Sequence, residues 1–185
     1  MSKQKLFLDF DGTLCNSTKA YCETYELLFS NKKGYRKPDW TKVKQYDLRD
    51  ECPLVKSTHA MFSEYYFWEL LDFMPNAFDQ LNILKDYYDI IICSIGTLEN
   101  LSKKAKWIQD KLPFIEDVIL IKNTNNTMDK SIVNMTSGIL VDDVASNLES
   151  SNAEIKICFD NGFNWNADYK YYKTYDWIEL CDFLT

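Results

Sequence analysis

Two carboxylates one residue apart, Asp9 and Asp11, close an apolar run Leu6-Phe7-Leu8, and Gly12-Thr13-Leu14 follows at once. Side chains alternate along a strand with a period of two, so the pair starts out on one face. Carboxylates brought that close repel, and one pKa rises unless a cation lies between them. The spacing suits a hard divalent ion with oxygen ligands, such as Mg2+. It suits equally a pair in which one carboxylate attacks while the other carries a proton. A strand that ends in a polar, Gly-containing turn uses the same letters for local reasons, so these residues need company before they mean chemistry.

That company recurs further along, where apolar runs end. Ile90-Ile91-Ile92-Cys93 runs into Ser94, and Gly138 to Val141 runs into Asp142-Asp143. Shortly before the second run comes Met128-Asp129-Lys130-Ser131. Together these supply a nucleophile, an acid/base, a hydroxyl donor, a cation and a metal-binding pair. Phosphoryl transfer needs that set, because charge on three oxygens must be neutralised and attack must be in line. Each part has a plainer reading. Ser94 fits a turn, and Asp142-Asp143 fit the cap of a helix starting near Ala145. Lys103, Lys104 and Lys122 compete with Lys130 for the phosphate.

The elements that would position these residues read as follows. Gln4 to Asp9, Tyr88 to Ile95, Val118 to Ile121, Gly138 to Val141 and Ile155 to Phe159 read as strands. Ser17 to Ser30, Ser57 to Leu71, Ala77 to Asp86, Leu98 to Leu112 and Asp176 to Phe183 read as helices, with Ser17 or Thr18 capping the first. Asp39 to Pro53 reads as mixed helix and loop. From Ala77 on, strands alternate with helices, which predicts an α/β fold with a mostly parallel sheet. Ligands of such sheets bind beyond the carboxyl ends of the strands, where the polar residues above fall. Residues 15–73 lack a convincing strand and read as a helical cap inserted into a core of residues 1–14 and 74–185.

Composition narrows the partners. The chain has 185 residues and a formal charge of −7, with no basic run, which argues against polymeric nucleic acid. A small anionic substrate fits, since one Lys and one metal ion offset its charge locally. No apolar run is long enough for a bilayer, and the first leads straight into Asp9 rather than into a secretion signal. Six cysteines without a C-x-x-C pair, and His59 as the single histidine, argue against zinc and for reduced thiols in a cytoplasm. His59 reads as an incidental helix residue.

The motifs Asp9-Phe10-Asp11-Gly12-Thr13-Leu14, Ser94, Lys130 and Val141-Asp142-Asp143, in this order, resemble the haloacid dehalogenase (HAD) superfamily of phosphohydrolases. The resemblance implies a Rossmann-like sheet flanked by helices with a small cap. It implies that Asp9 attacks phosphorus to form an aspartyl-phosphate and that Asp11 serves as general acid, then base. Ser94 and Lys130 would hold the phosphoryl oxygens. Asp9, the backbone carbonyl of Asp11, and Asp143 would bind Mg2+, with Asp142 outside them. Within the superfamily, Ile92-Cys93-Ser94, the helix with Lys104 and Trp107, and Asp129-Lys130-Ser131-Ile132-Val133 are similar to the 5'(3')-deoxyribonucleotidases. That implies a nucleoside monophosphate substrate, its base held by cap aromatics such as Phe67 and Trp68, unless these only pack the cap onto the core. The chain departs from that family's pattern at Ile95-Gly96, near Ser17 and at Val144. The competing expectations are a phosphatase for a sugar phosphate or phosphoglycolate, a phospho-accepting signalling module, and a silent nucleotide-binding protein.

Overall fold

The computed structural model describes residues 3–123 and 129–185; Met128, at the head of the Lys130 connection, lies outside them. The strands are β1 (Gln4–Leu8), β2 (Tyr88–Gly96), β3 (Asp117–Lys122), β4 (Ile139–Asp142), β5 (Ile155–Phe159) and β6 (Lys173–Thr174). They form one sheet in the order β3-β2-β1-β4-β5-β6, and every pairing is parallel. The helices are α1 (Ser17–Phe29), α2 (Tyr65–Leu70), α3 (Ala77–Leu84), α4 (Leu98–Lys111), α5 (Ala145–Ser150) and α6 (Trp177–Leu184).

Both faces of the sheet are covered, and the alternation of side chains feeds two separate cores. Leu6, Leu8, Ile90, Ile92, Ile139, Val141, Ile157 and Phe159 belong to the larger one. Phe7, Ile91, Cys93, Leu140 and Cys158, their neighbours in sequence, belong to the other. Continuous apolar strands are what a parallel sheet with two buried faces requires, and each such side chain contributes about 1.5–3 kcal/mol on burial. Strand order reverses beside β1, so the carboxyl ends of β1, β2 and β4 meet at a topological switch point.

Residues 17–70 add a helical layer over that end and contribute no strand to the six-stranded sheet. The chain enters and leaves this layer side by side: Asn16 N donates to Asp72 O at 3.0 Å and Met74 N to Leu14 O at 2.9 Å. The layer differs from expectation in two places. Asn16, not Ser17 or Thr18, caps α1, its side chain accepting from Lys19 N. The helix expected over Ser57–Leu71 is only α2, preceded by a 3-10 turn at Met61–Ser63. Glu64 is extended, at φ −75° and ψ 143°, and the Thr58 hydroxyl bonds to Asp47 instead of serving the local backbone. Short polar side chains that find such partners compete with helix formation. Two short 3-10 turns, Trp40–Lys42 and Leu48–Asp50, make up the mixed segment between. The two-residue edge strand β6 was not anticipated from its polar, aromatic sequence.

Candidate active site

Register brings the early and late aspartates together. Leu8 stands level with Val141 on one side and Ile92 on the other, and Asp9 N donates to Val141 O at 2.9 Å. Asp9, Asp142 and Asp143 each place a carboxylate oxygen within 4.8 Å of the others. Gly12 turns the chain away at φ +74°, and a Cβ there would press on the Asp143 carboxylate and lie 2.7 Å from Asn161 Nδ2. Only glycine meets both demands. Asn161 Nδ2 donates to Asp143 Oδ2 at 2.8 Å and to Gly12 O at 3.3 Å, tying the β4 end to the turn after β1.

Two buried lysines divide the carboxylates between them. Lys130 Nζ lies 2.6 Å from Asp9 Oδ1 and 2.5 Å from Asp142 Oδ2. Asp142 also accepts from Val144 N and from Asn147 Nδ2, so both its oxygens are engaged. Lys104 Nζ bonds to Asp11 Oδ2, to Ser94 Oγ at 2.8 Å and to Ile95 O at 3.3 Å. Asp11 Oδ1 is buried and has no partner among the described residues.

Four carboxylates thus face two ammonium groups, and the excess is negative. Burial, then Asp9 and Asp142, push the Asp143 carboxyl well above the usual carboxylate range. Burial pushes Asp142 up to about 6, with Lys130 pulling the other way. Burial alone would lower the Lys130 ammonium, but Asp142 and Asp9 outweigh it and hold the group charged. A divalent cation beside Asp9 and Asp143 would relieve this imbalance.

Comparison with known proteins identifies the family. A model of the family "5' nucleotidase, deoxy (Pyrimidine), cytosolic type C protein" matches residues 3–185. The chain belongs to that family. It is therefore a phosphoric monoester hydrolase of the HAD superfamily. A 5'(3')-deoxyribonucleotidase of Clostridium acetobutylicum is 28% identical over 189 residues, covering 100% of this chain and 98% of the relative. Among solved structures, a haloacid dehalogenase-like hydrolase of Streptococcus pneumoniae superposes with a TM-score of 0.68 at 16% identity, over 99% of both chains. A protein of Bacillus subtilis described as a HAD-hydrolase, bound to magnesium, superposes with a TM-score of 0.61 at 13% identity, over 100% of both chains.

Between the sheet edge and the helical layer of this nucleotidase-family chain lies a cavity of about 340 Å³. Asp9, Asp11, Ser94 and Asp143 line it. Lys104 and Lys130 lie beneath its surface, each fully buried, and reach it through the groups they hold. Phe67 and Trp68 do not line it, which corrects the expectation that they hold the base. Phe67 is completely buried, with its ring edge-on to Phe62 and Trp68, and the Trp68 indole N–H donates to Phe62 O. Both rings are spent on packing the helical layer.

Other aromatic side chains line the cavity. Tyr46, His59 and Phe62 line the roof, and Phe163 and Trp165 line a wall on the loop after β5. His59 lies outside any helix and faces Tyr46 OH across 3.5 Å, so it is not the helix residue expected. No periodicity marks these positions. Lys104 carried a legible signal: Leu101, Lys104, Trp107 and Ile108 make the buried stripe of α4, and a lysine in such a stripe needs a buried partner.

Proposed function

We propose that this hydrolase dephosphorylates nucleoside monophosphates with Mg2+, through an aspartyl-phosphate on Asp9. The observation that carries the reading is the division of the two early carboxylates. Each has one oxygen held by its own buried lysine and lines the same cavity. Asp9 Oδ1 is fixed by Lys130, and Oδ2 accepts no hydrogen bond among the described residues, which leaves it to attack phosphorus. Asp11, fixed through Oδ2 by Lys104, has its unpartnered Oδ1 for proton transfer.

In the first step an Asp9 oxygen forms a bond to phosphorus while the ester P–O bond breaks, and Asp11 gives its proton to the leaving nucleoside oxygen. In the second, Asp11 takes a proton from water as that water attacks the phosphoryl group, releasing phosphate and restoring Asp9. Ser94 accepts from Lys104 and so has its hydroxyl hydrogen to donate to a phosphoryl oxygen. Lys104 belongs with it as the phosphate-side cation. Lys130, confined between Asp9 and Asp142, positions the nucleophile instead of holding substrate; this replaces the sequence-based preference for Lys130 at the phosphate.

Asp9, the Asp11 carbonyl and Asp143 would hold Mg2+, and all-oxygen donors with surplus negative charge fit that ion. When bound, it supplies charge neutralisation at the transferring phosphoryl group. Asp142, with both oxygens engaged, braces Lys130 from outside. The core of residues 1–14 and 74–185 supplies this machinery, and the cap of residues 15–73 closes the cavity. We place the protein in the cytoplasm: all six cysteines are buried free thiols, and no described helix is long and apolar enough to cross a membrane.

Phosphate release from a panel of nucleoside monophosphates, ribose 5-phosphate and phosphoglycolate, with Mg2+ and with chelator, tests the reading. Faster turnover of nucleotides, lost on chelation, is expected. Equal or better turnover of the sugar phosphate would be fatal to the nucleotide assignment.

A further inference from the structure

The proposed function leaves open which surface reads the base once Phe67 and Trp68 are withdrawn. Trp165 is a large ring that the hydrophobic cores do not use: it is half-buried and belongs to neither core cluster. It lines the cavity beside Phe163 and Val144. Phe163 backs it, with ring centroids 4.6 Å apart and 33° between planes. Its indole N–H donates to Asp143 O at 2.9 Å, and Asn166 Nδ2 donates to the same carbonyl at 2.6 Å. The loop is also tied to the roof, since Asn164 N donates to Lys44 O at 2.7 Å, next to the cavity residues Gln45 and Tyr46.

An indole pinned by its N–H, backed on one side and presented to a cavity, is a preorganised stacking platform. It binds a flat ring without first having to order itself. We propose that Trp165 is the specificity-determining face for the nucleobase, an inference that rests on the nucleotide reading above. The same anchor places that face against the backbone of Asp143, so base and phosphoryl group are positioned from one short segment of chain.

Kinetics on nucleoside monophosphates and on ribose 5-phosphate test this with Trp165→Leu, which removes ring and N–H, and Trp165→Phe, which keeps a ring. Trp165→Leu is expected to lower the nucleotide-to-sugar-phosphate ratio of kcat/KM by about tenfold to a hundredfold, mostly through nucleotide KM. Trp165→Phe should keep that ratio within about threefold, while losing kcat with both substrates through the freed Asp143 carbonyl. Should Trp165→Leu fail to fold, binding in an Asp9→Asn background decides. Nucleotide should quench tryptophan fluorescence there, and adding Trp165→Phe should abolish the quench. Equal losses on both substrates in Trp165→Leu, or a quench that survives Trp165→Phe, would overturn the inference alone. A wild type that does not prefer nucleotides overturns it together with the proposed function.

Discussion

Around Lys130, one ammonium meets two carboxylates, both almost fully buried, and the group is confined beneath the cavity. Around Lys104, an equally buried ammonium meets one carboxylate, one hydroxyl and one carbonyl, and the residues that supply all three, Asp11, Ser94 and Ile95, line the cavity. The residue type and burial are the same; the partners differ. A cation outnumbered by carboxylates has no charge to spare and serves to fix them. A cation with one carboxylate and two neutral acceptors can still attract an incoming dianion. Role follows from what the neighbours leave unneutralised.

The sharpest break in this comparison is at the carboxylate that Lys130 fixes. Asp9→Asn keeps size and shape but removes the charge proposed to attack phosphorus, and kcat is expected to fall on the order of 10⁴-fold. Phosphate-release rates within tenfold of wild type would move the nucleophile elsewhere. The lysines themselves should then separate. Lys104→Met should cost about 10²–10³ in kcat/KM by removing the phosphate-side cation. Lys130→Met should instead register mainly as lost stability, about 3–5 kcal/mol, because Asp9 and Asp142 are left buried without their partner. Denaturant melts and kinetics on both variants check this, and an inverted pattern would exchange the two roles.

Charge imbalance around Asp143 gives a pH dependence. Its folded-state pKa is raised by burial, Asp9 and Asp142, and that of Asp142 reaches about 6. A carboxylate raised on folding stabilises the fold below its unfolded pKa, near 4, and that contribution is lost as pH rises through the folded value. Lys130 is raised as well, but its contribution is fully present throughout this range. Divalent metal must displace the carboxyl protons, so its stabilising effect grows with pH. The gap in Tm between Mg2+-loaded and chelator-treated protein should widen from pH 5 to pH 7.5, to on the order of 5–10 °C at a hundred times the Kd. A gap independent of pH would contradict it.

Five of the six strands, β1 to β5, were legible because they are short apolar runs, each ended by a polar residue; β6, only Lys173–Thr174, is not such a run. That Asp9, Asp11, Ser94 and Asp143 gather at one cavity was legible for the same reason: strand ends of a parallel sheet share one rim. Lys104 was half legible, as a charge in the buried stripe of α4. The roof was not. Tyr46, His59 and Phe62 come from 3-10 turns and the segments between them, where neither the 3.6 nor the two-residue period holds. There, single side-chain bonds such as Thr58 to Asp47 decide the path of the chain. An aromatic-rich run such as Tyr65-Tyr66-Phe67-Trp68 reads the same whether its rings face a ligand or one another.

That last ambiguity yields the smallest expected effect. In the structure Phe67 is wholly enclosed, touching Phe62 and Trp68 edge-on, so its contribution is to hold the helical layer in shape. Phe67→Leu removes part of that packing while keeping an apolar side chain, and it should lower stability by roughly 1–2 kcal/mol. The Tm would then fall by about 2–8 °C in a chain of this size. Because the ring has no face on the cavity, the nucleotide-to-sugar-phosphate ratio of kcat/KM should stay at the wild-type value. Trp165→Leu should show the opposite pattern, a changed ratio with a smaller change in Tm. A tenfold loss of nucleotide preference in Phe67→Leu at an unchanged Tm would mean that the layer opens to offer that ring to the base, and would return the reading surface to the cap.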